Sequence, residues 1–290
     1  MRKQVSLFAG GSELRSRFTA SLCAVVMIAL LWGVAPLESH AESEVRVYEK
    51  FTYTIIGGKI HIWGYDGNNR INNKEVVVVP GEIEKKPVVA VELINIGGKS
   101  ISFRKCTQLK SLYAEALFFD RIDLAKTAKL QSLKLHESGD VTVLSLGACK
   151  QLKDLYLDVK TLQKLSVSSC TKLQSLIVEN AKLKSLDLGK CVALREFEAE
   201  GGELTSVTLG KKRSLKTVNV SQNKLKTLDV SGCAAMTELD FSYNKGLAVN
   251  ISKNRKLKTL TYSPWGNNYG TTTITNPVKN FPFISRYKNM

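Results

Sequence analysis

The sequence predicts a β-rich solenoid with coils of about 21 residues, an N-terminal β cap and a C-terminal cap. Three observations indicate this fold. Residues 141–245 repeat with a constant period, four apolar columns recur at the same places in every block, and short L-x-L triplets alternate in polarity as strands with one buried face do. A unit this short cannot bury its apolar side alone, so we expect each coil to stack on its neighbours.

Residues 1–41 are predicted to be a secretory signal peptide. A basic start precedes an uncharged apolar run from Phe18 to Val34, and the small residues Ser39 and Ala41 stand where a signal peptidase requires them. We therefore expect cleavage after Ala41. The alternative is an uncleaved anchor, because the apolar stretch is long enough to span a bilayer.

Residues 42–100 are predicted to form an N-terminal β cap that merges into the first coils. Alternating segments on both sides of Gly57 and Gly58 indicate a β-hairpin, and residues 75–83 and 87–94 indicate two further extended segments. Such a cap covers the apolar core and the strand edge that the end of a solenoid would expose.

Residues 101–262 are predicted to form the solenoid, and residues 263–290 a C-terminal cap or tail. One coil is a single residue longer than the others, which predicts a small bulge at the corner between His136 and Asp140. Aromatic residues after position 262 are available to cover the last coil.

Each block contains two copies of the half-pattern L-x-x-L-x-L-x-x-C/N. This pattern resembles the leucine-rich repeat, and the short unit with a cysteine column is similar to bacterial internalin-J and BspA-like surface proteins. The resemblance implies a right-handed superhelix in a secreted or cell-surface bacterial protein, with protein binding and adhesion as expected roles. It does not identify a ligand, because this fold is a general binding scaffold.

Five cysteines beyond the signal peptide share one column, which Lys212 and Asn254 complete. Small thiols suit a tight corner, where related repeats use asparagine to bind backbone groups, so the column predicts packing. A metal site is the alternative, but C-x-x-C spacing and nearby histidines are lacking, and we expect neither metal nor cofactor. The cysteines are Cys106, Cys149, Cys170, Cys191 and Cys233.

The chain carries a formal net charge of +16, which favours association with polyanions. No nucleic-acid-binding motif accompanies this charge, so we expect no nucleic-acid partner. One repeat position is mostly basic and predicts a stripe along one edge of the solenoid. The stripe either keeps strand edges soluble or docks an acidic glycan or protein. Its residues are Lys110, Lys153, Arg195, Lys216 and Lys258.

The outward positions of the two half-patterns differ. Those of the first are small and polar, as in Ser145 and Ser166, whereas those of the second vary in size and charge. The varied column resembles the concave strand of leucine-rich repeats, where binding residues commonly lie; alternatively, it varies because nothing uses it. The candidate binding residues are Tyr156, Ile177, Glu198, Asn219 and Asp240. Glu179, Glu196, Glu200 and Glu203 add a local acidic cluster around Glu198.

Enzymatic motifs are weak. The histidines are His40, His61 and His136, no G-x-S-x-G motif is present, and Gly98-Lys99-Ser100 lacks the first glycine of a phosphate loop. We therefore expect no catalytic residues and a non-enzymatic protein.

The expected function is recognition of a protein or glycan through one face of the solenoid, in adhesion or host interaction. Two alternatives remain, an electrostatic polyanion binder that uses the basic stripe and a purely structural envelope module. Membrane contact is expected only through the signal peptide or envelope association.

Overall fold

The structure is a computed structural model that describes residues 44–66, 75–245 and 247–262 and the strand at 273–275. The predicted signal peptide, residues 1–41, lies outside the described residues. The regular elements of the described ranges are strands β1 (Arg46–Tyr48), β2 (Phe51–Ile56), β3 (Lys59–Tyr65), β4 (Val76–Val78), β5 (Glu82–Ile83), β6 (Lys86–Ser102), β7 (Ser111–Asp123), β8 (Ser132–His136), β9 (Val143–Ser145), β10 (Asp154–Asp158), β11 (Lys164–Ser166), β12 (Ser175–Glu179), β13 (Ser185–Asp187), β14 (Glu196–Glu198), β15 (Ser206–Thr208), β16 (Thr217–Asn219), β17 (Thr227–Leu228), β18 (Glu238–Asp240), β19 (Ala248–Asn250), β20 (Thr259–Thr261) and β21 (Thr273–Thr275).

The N-terminal strands form an antiparallel meander. β1 pairs with β2, and β2 and β3 form the predicted hairpin, in which Gly57 and Gly58 have φ values of 55° and 71°. These values are accessible to glycine at no steric cost, which explains the turn. The Tyr53 hydroxyl donates to Glu84 at 2.9 Å, so the hairpin is tied to the segment before β6.

Beyond the hairpin, the strands of the second half-pattern stack in parallel into one main sheet. Its order from β6 is β7, β8, β10, β12, β14, β16, β18 and β20. Ser111 of β7 pairs with Ser132 of β8, 21 residues on, whereas Ser132 pairs with Asp154 of β10, 22 residues on. The longer coil therefore absorbs its extra residue before β10, and the register is regular again from there.

The strands of the first half-pattern form shorter parallel sheets on the other side of the coils. β9 pairs with β11, β13 pairs with β15, and β17, β19 and β21 form a third sheet. β21 pairs with β19 through Val249 and Ile274, so this strand pattern reaches into the segment expected to be a C-terminal cap or tail.

The core fills the space between the two sets of strands. The apolar column of Leu152, Leu173 and Leu194 is fully buried, as is the column of Leu155, Leu176, Phe197, Val218 and Leu239. In the column that begins at Leu144, Leu165 and Val207 are only partly buried against this core. Each coil thus covers the apolar side of the next, as the period predicts.

The corner of the main-sheet half-coil has a residue with positive φ in seven coils. This residue lies inside β6 and β7, which continue past it, and beyond the end of the strand in the other five coils; the seven residues are Asn95, Ala116, Glu137, Asn180, Gly201, Gln222 and Tyr243. One residue beyond Gln222 and Tyr243, Asn223 and Asn244 bind backbone groups of adjacent coils. The Asn244 side chain donates to the Val220 carbonyl at 2.8 Å and accepts from the Leu225 N–H at 2.9 Å. These bonds satisfy polar groups that the corner would otherwise leave unpaired.

Candidate binding face

The outward side chains of the parallel strands of the main sheet form one continuous surface, which we call the outer face. Residues alternate along each strand, so the neighbours of an outward residue point into the core; Leu155 and Leu157 of β10, for example, are buried on both sides of Tyr156. Each strand contributes two or three outward positions, and in-register pairing aligns them in columns.

The five candidate binding residues occupy the middle column of this face. Pairing runs from Tyr156 to Ile177, Glu198, Asn219 and Asp240 across five neighbouring strands. All five are half-buried rather than fully exposed. The same column also contains Glu92, Tyr113 and Lys134 toward the N-terminus, which the candidate set omitted.

Hydrogen bonds orient several of these side chains. The Tyr156 hydroxyl donates to Glu179 at 2.9 Å, and the Tyr113 hydroxyl donates to Glu115 at 2.7 Å. Asp240 accepts from the Ser242 N–H at 2.9 Å and from its hydroxyl at 2.7 Å, so this carboxylate also closes a local turn. The face is therefore held in place before any ligand arrives.

The outer face is strongly acidic, a property that the sequence showed only in part. Three aligned columns cross this face, through Asp154, Tyr156 and Asp158 of β10, and their repeat positions from β6 to β18 include ten carboxylates and one lysine, Lys134. They belong to Glu92, Glu115, Asp154, Asp158, Glu179, Glu196, Glu198, Glu200, Glu238 and Asp240. Glu203, which sequence proximity grouped with them, instead pairs with Lys184 and with Lys224, the latter at 3.6 Å.

Crowding and burial alter the protonation of this face. Burial raises the pKa of Glu198, and the neighbouring carboxylates of Glu196 and Glu179 raise it further. The pKa of Glu92 is likewise raised by burial and by Glu115. Both effects disfavour the charged form of these two carboxyl groups.

The basic stripe lies one residue before the main-sheet strands. All five of its residues are exposed, and each donates its backbone N–H to a carbonyl of the preceding coil at 2.8 Å. The stripe therefore follows the edge of the outer face. Burial raises the pKa of Asp154 on that face, and the neighbouring Lys153 of the stripe and Lys134 partly oppose this. Its members are Lys110, Lys153, Arg195, Lys216 and Lys258.

The five cysteines of the column are free thiols with no exposed surface. The thiols of Cys106, Cys170 and Cys191 approach backbone oxygens earlier in the chain, as when Cys191 Sγ donates to the Val167 carbonyl at 3.5 Å. Asn254 makes the same kind of bond to the Val230 carbonyl at 2.9 Å. Burial raises the pKa of Cys170 to about 12, which makes its thiolate scarce at neutral pH.

The residues weighed for catalysis are not brought together. Gly98-Lys99-Ser100 lies within β6, where the Lys99 N–H donates to the Glu75 carbonyl at 2.8 Å, so these amides do not form a phosphate cradle. His61 is on β3 and His136 on β8, while His40 lies outside the described residues. Within the described ranges, no group of three histidine, cysteine or acidic side chains is arranged to hold a metal ion.

The structure thus combines two sets of parallel strands, a 21-residue register and a ladder of side chains at each corner. The fold is that of a leucine-rich-repeat solenoid. No helix in the described part of the chain is long and apolar enough to cross a membrane.

Comparison with known proteins finds similar solved structures, whereas no family profile and no curated protein sequence matches the chain. The functional domain of InlJ from Listeria monocytogenes, which includes a cysteine ladder, is 16% identical over 61% of this chain and 47% of that chain, with a TM-score of 0.44. This chain thus covers about half of that structure.

Two further neighbours are bacterial leucine-rich-repeat proteins. The internalin InlF of Listeria monocytogenes is 14% identical over 88% of this chain and 90% of that chain, with a TM-score of 0.39. A leucine-rich-repeat protein of Leptospira interrogans is 16% identical over 72% of this chain and 73% of that chain, with a TM-score of 0.27.

Proposed function

We propose that this chain is a non-enzymatic binding protein that recognises a polypeptide ligand through the outer face of the main sheet. The observation that carries the proposal is the middle column, where Tyr156 and Ile177 stand side by side on paired strands and are half-buried. Aromatic and apolar side chains held on a rigid surface supply binding free energy at little cost in ordering.

The rigidity of the scaffold supports this function. The strands that carry the column are paired on both sides from β10 to β18, and the Tyr156 ring is fixed by its hydrogen bond to Glu179. The shorter sheets of the first half-pattern present a different surface, which consists of small residues such as Ser166 and Thr208. A ligand would therefore gain more contact area on the outer face.

The test is a binding screen of the protein against a panel of extracellular proteins and a glycan array, at low and physiological salt. A ligand should bind at both salt concentrations and lose at least about tenfold in affinity with Tyr156→Ala or Ile177→Ala. Ser166→Ala on the opposite face is the matched control and should leave the affinity unchanged. A ligand that binds Tyr156→Ala and Ile177→Ala with the same affinity as the wild-type protein would contradict the proposal.

The basic stripe supports a second candidate function, binding of an acidic glycan. Its exposed ammonium and guanidinium groups repeat along one edge. The backbone hydrogen bonds between neighbouring coils determine their spacing. Such binding should weaken steeply as salt rises, and should disappear when Lys153, Arg195 and Lys216 are replaced by glutamate. Absence of any ligand in the screen would favour the purely structural envelope module.

We also propose that the protein is exported and acts outside the cell or at its surface, in adhesion or host contact. The basic and apolar pattern of residues 1–41 supports this location. Mass spectrometry of the exported chain should find an N-terminus at Glu42. An intact N-terminus in a membrane fraction would instead indicate an uncleaved anchor.

A further inference from the structure

The outer face carries a charge opposite to that of the chain. The protein has 42 lysines and arginines against 26 aspartates and glutamates, yet ten carboxylates and one lysine stand on this face. A surface that only kept the protein soluble would intersperse the two signs. Segregation of the carboxylates on the one face that also presents tyrosines indicates a binding preference.

The carboxylates of this face are held by neutral donors. Ser175 donates to Glu196 at 2.6 Å, and Asn219 and Gln222 donate to Glu200 at 3.2 and 2.8 Å. These bonds position the acids without neutralising them. The charge that accumulates on β12, β14 and the corner beyond them is thus available to a ligand.

A buried hydroxyl on the same face lacks a partner. Ser132 of β8 is 4% exposed, and its Oγ forms no hydrogen bond in the described part of the structure. Its position alternates with buried Leu133 and pairs with Asp154, so the register places it on the outer face beside a carboxylate. An unpaired buried hydroxyl costs free energy, and a ligand donor or acceptor at this point would recover it.

Two tyrosines stand on either side of β8 in the middle column. Tyr113 lies on β7 and Tyr156 on β10, each with its hydroxyl tied to a carboxylate. An aromatic ring attracts the ammonium of lysine and the guanidinium of arginine through its face. The acidic side chains that hold the hydroxyls, Glu115 and Glu179, lie beside each ring.

We propose that the ligand of the outer face is a lysine- and arginine-rich segment of a partner polypeptide, bound in an extended conformation across β7 to β18. This inference rests on the proposed function and names the chemistry of its partner. Neighbouring strands lie about 4.8 Å apart, and alternate side chains of an extended segment recur about every 6.6 Å on one face, so basic side chains along the segment can reach carboxylates on several of the strands that it crosses. The tyrosines bind the first basic side chains, and Glu196, Glu198 and Glu200 bind those farther along.

The probe is a fluorescein-labelled ten-residue peptide of alternating lysine and threonine, with a glutamate–threonine peptide of the same length as its counterpart. Fluorescence anisotropy should detect binding of the lysine peptide and not of the glutamate peptide. The double variant Glu198→Gln and Glu200→Gln should weaken binding about tenfold. Glu203→Gln, a matched change on an acid paired with Lys184 and Lys224, should leave binding unchanged.

A thermal melt accompanies each variant, and Glu198→Gln with Glu200→Gln should not lower the melting temperature, because it removes like-charge repulsion. Equal affinity for the two peptides, or equal losses in the double variant and in Glu203→Gln, would overturn the inference. A ligand from the extracellular panel that is not basic but still requires Tyr156 would overturn it while leaving the proposed function intact. If neither peptide binds and no ligand from the panel requires Tyr156, both the inference and the proposed function are wrong.

Discussion

At the scale of single residues, the cysteine column, which also contains Thr127 and Asn254, has one unusual occupant. Lys212 has no exposed surface, and its ammonium donates to the carbonyls of Leu209 and, at 3.5 Å, Gly189. Burial lowers the pKa of Lys212, and the nearby Cys191, Cys233 and Asp187 only partly oppose this. A buried charge thus stands where Asn254 satisfies equivalent carbonyls without one.

Lys212→Asn should increase the free energy of unfolding at pH 7 by about 1 kcal/mol, because a neutral amide replaces a desolvated ammonium. The folded protein binds the Lys212 proton more weakly than the unfolded chain does, whose pKa is about 10.5. Wild-type stability should therefore rise, relative to the variant, as pH increases through the lowered pKa of Lys212 toward that value. Urea melts of both proteins at pH 7, 9 and 10 check this.

Burial raises the pKa of Cys191 and of Cys233 to about 11 in the folded protein, so thiol ionisation in the unfolded chain lowers the stability of both proteins at pH 9 and 10. The quantity to compare is therefore the difference between the two proteins at each pH. If the difference in free energy of unfolding between the two proteins stays constant from pH 7 to pH 10, the ammonium of Lys212 is not destabilising. A lower stability of Lys212→Asn at pH 7 would show that the aliphatic part of the lysine outweighs its charge.

At the scale of elements, the corner after each main-sheet strand determines how the chain turns back. Most of its residues are not glycine, although all have φ near 50° or above except Glu137 at 46°. Gly201 has φ 67°, and a Cβ at this position would lie 3.1 Å from Asn180 Oδ1. The corner therefore tolerates side chains where the neighbouring coil leaves room, and Gly201 is a tight position.

Gly201→Ala should lower the free energy of unfolding by about 1–2 kcal/mol, since left-handed backbone is unfavourable for a residue with a Cβ. The control is Gly147→Ala, where the nearest atom to the new Cβ is Ser145 Oγ at 3.9 Å. That variant should stay within about 0.5 kcal/mol of wild type. Chemical denaturation compares them, and similar losses in both would remove the corner geometry as the cause.

At the scale of the whole molecule, stability depends on stacking. Leu176 of β12 and Leu260 of β20 occupy the same column and are both buried. β12 pairs with β10 and β14, whereas among the described residues β20 pairs with β18 alone. In a solenoid each coil interacts with its immediate neighbours, so a central coil has two interfaces to lose.

Leu176→Ala should cost about 2–5 kcal/mol through loss of apolar burial and the cavity it leaves. Leu260→Ala, the same change at the edge of the described stack, should cost less because the site can relax. Thermal and urea melts of the two variants measure this difference. Equal losses would contradict the neighbour-dependent order of stability.

The period of the sequence was sufficient to determine the solenoid, the strand register and the buried columns. A residue and its equivalent 21 positions later must be adjacent when coils stack, so Leu155 beneath Leu176 and the hairpin at Gly57 could be predicted without coordinates. Even the lengthened coil was visible, because one extra residue shifts the pairing of Ser132 to Asp154.

Only the tertiary structure determined which residues lie on the same surface. Sequence proximity placed Glu203 beside Glu200, but the corner turns Glu203 toward Lys184 and leaves Glu200 bonded to Asn219. The acids of six coils form one face because parallel pairing joins outward positions that lie far apart along the chain. The burial of Ser132 and of Lys212 likewise depends on neighbouring coils, since solvent exposure is set by stacking and not by the local sequence.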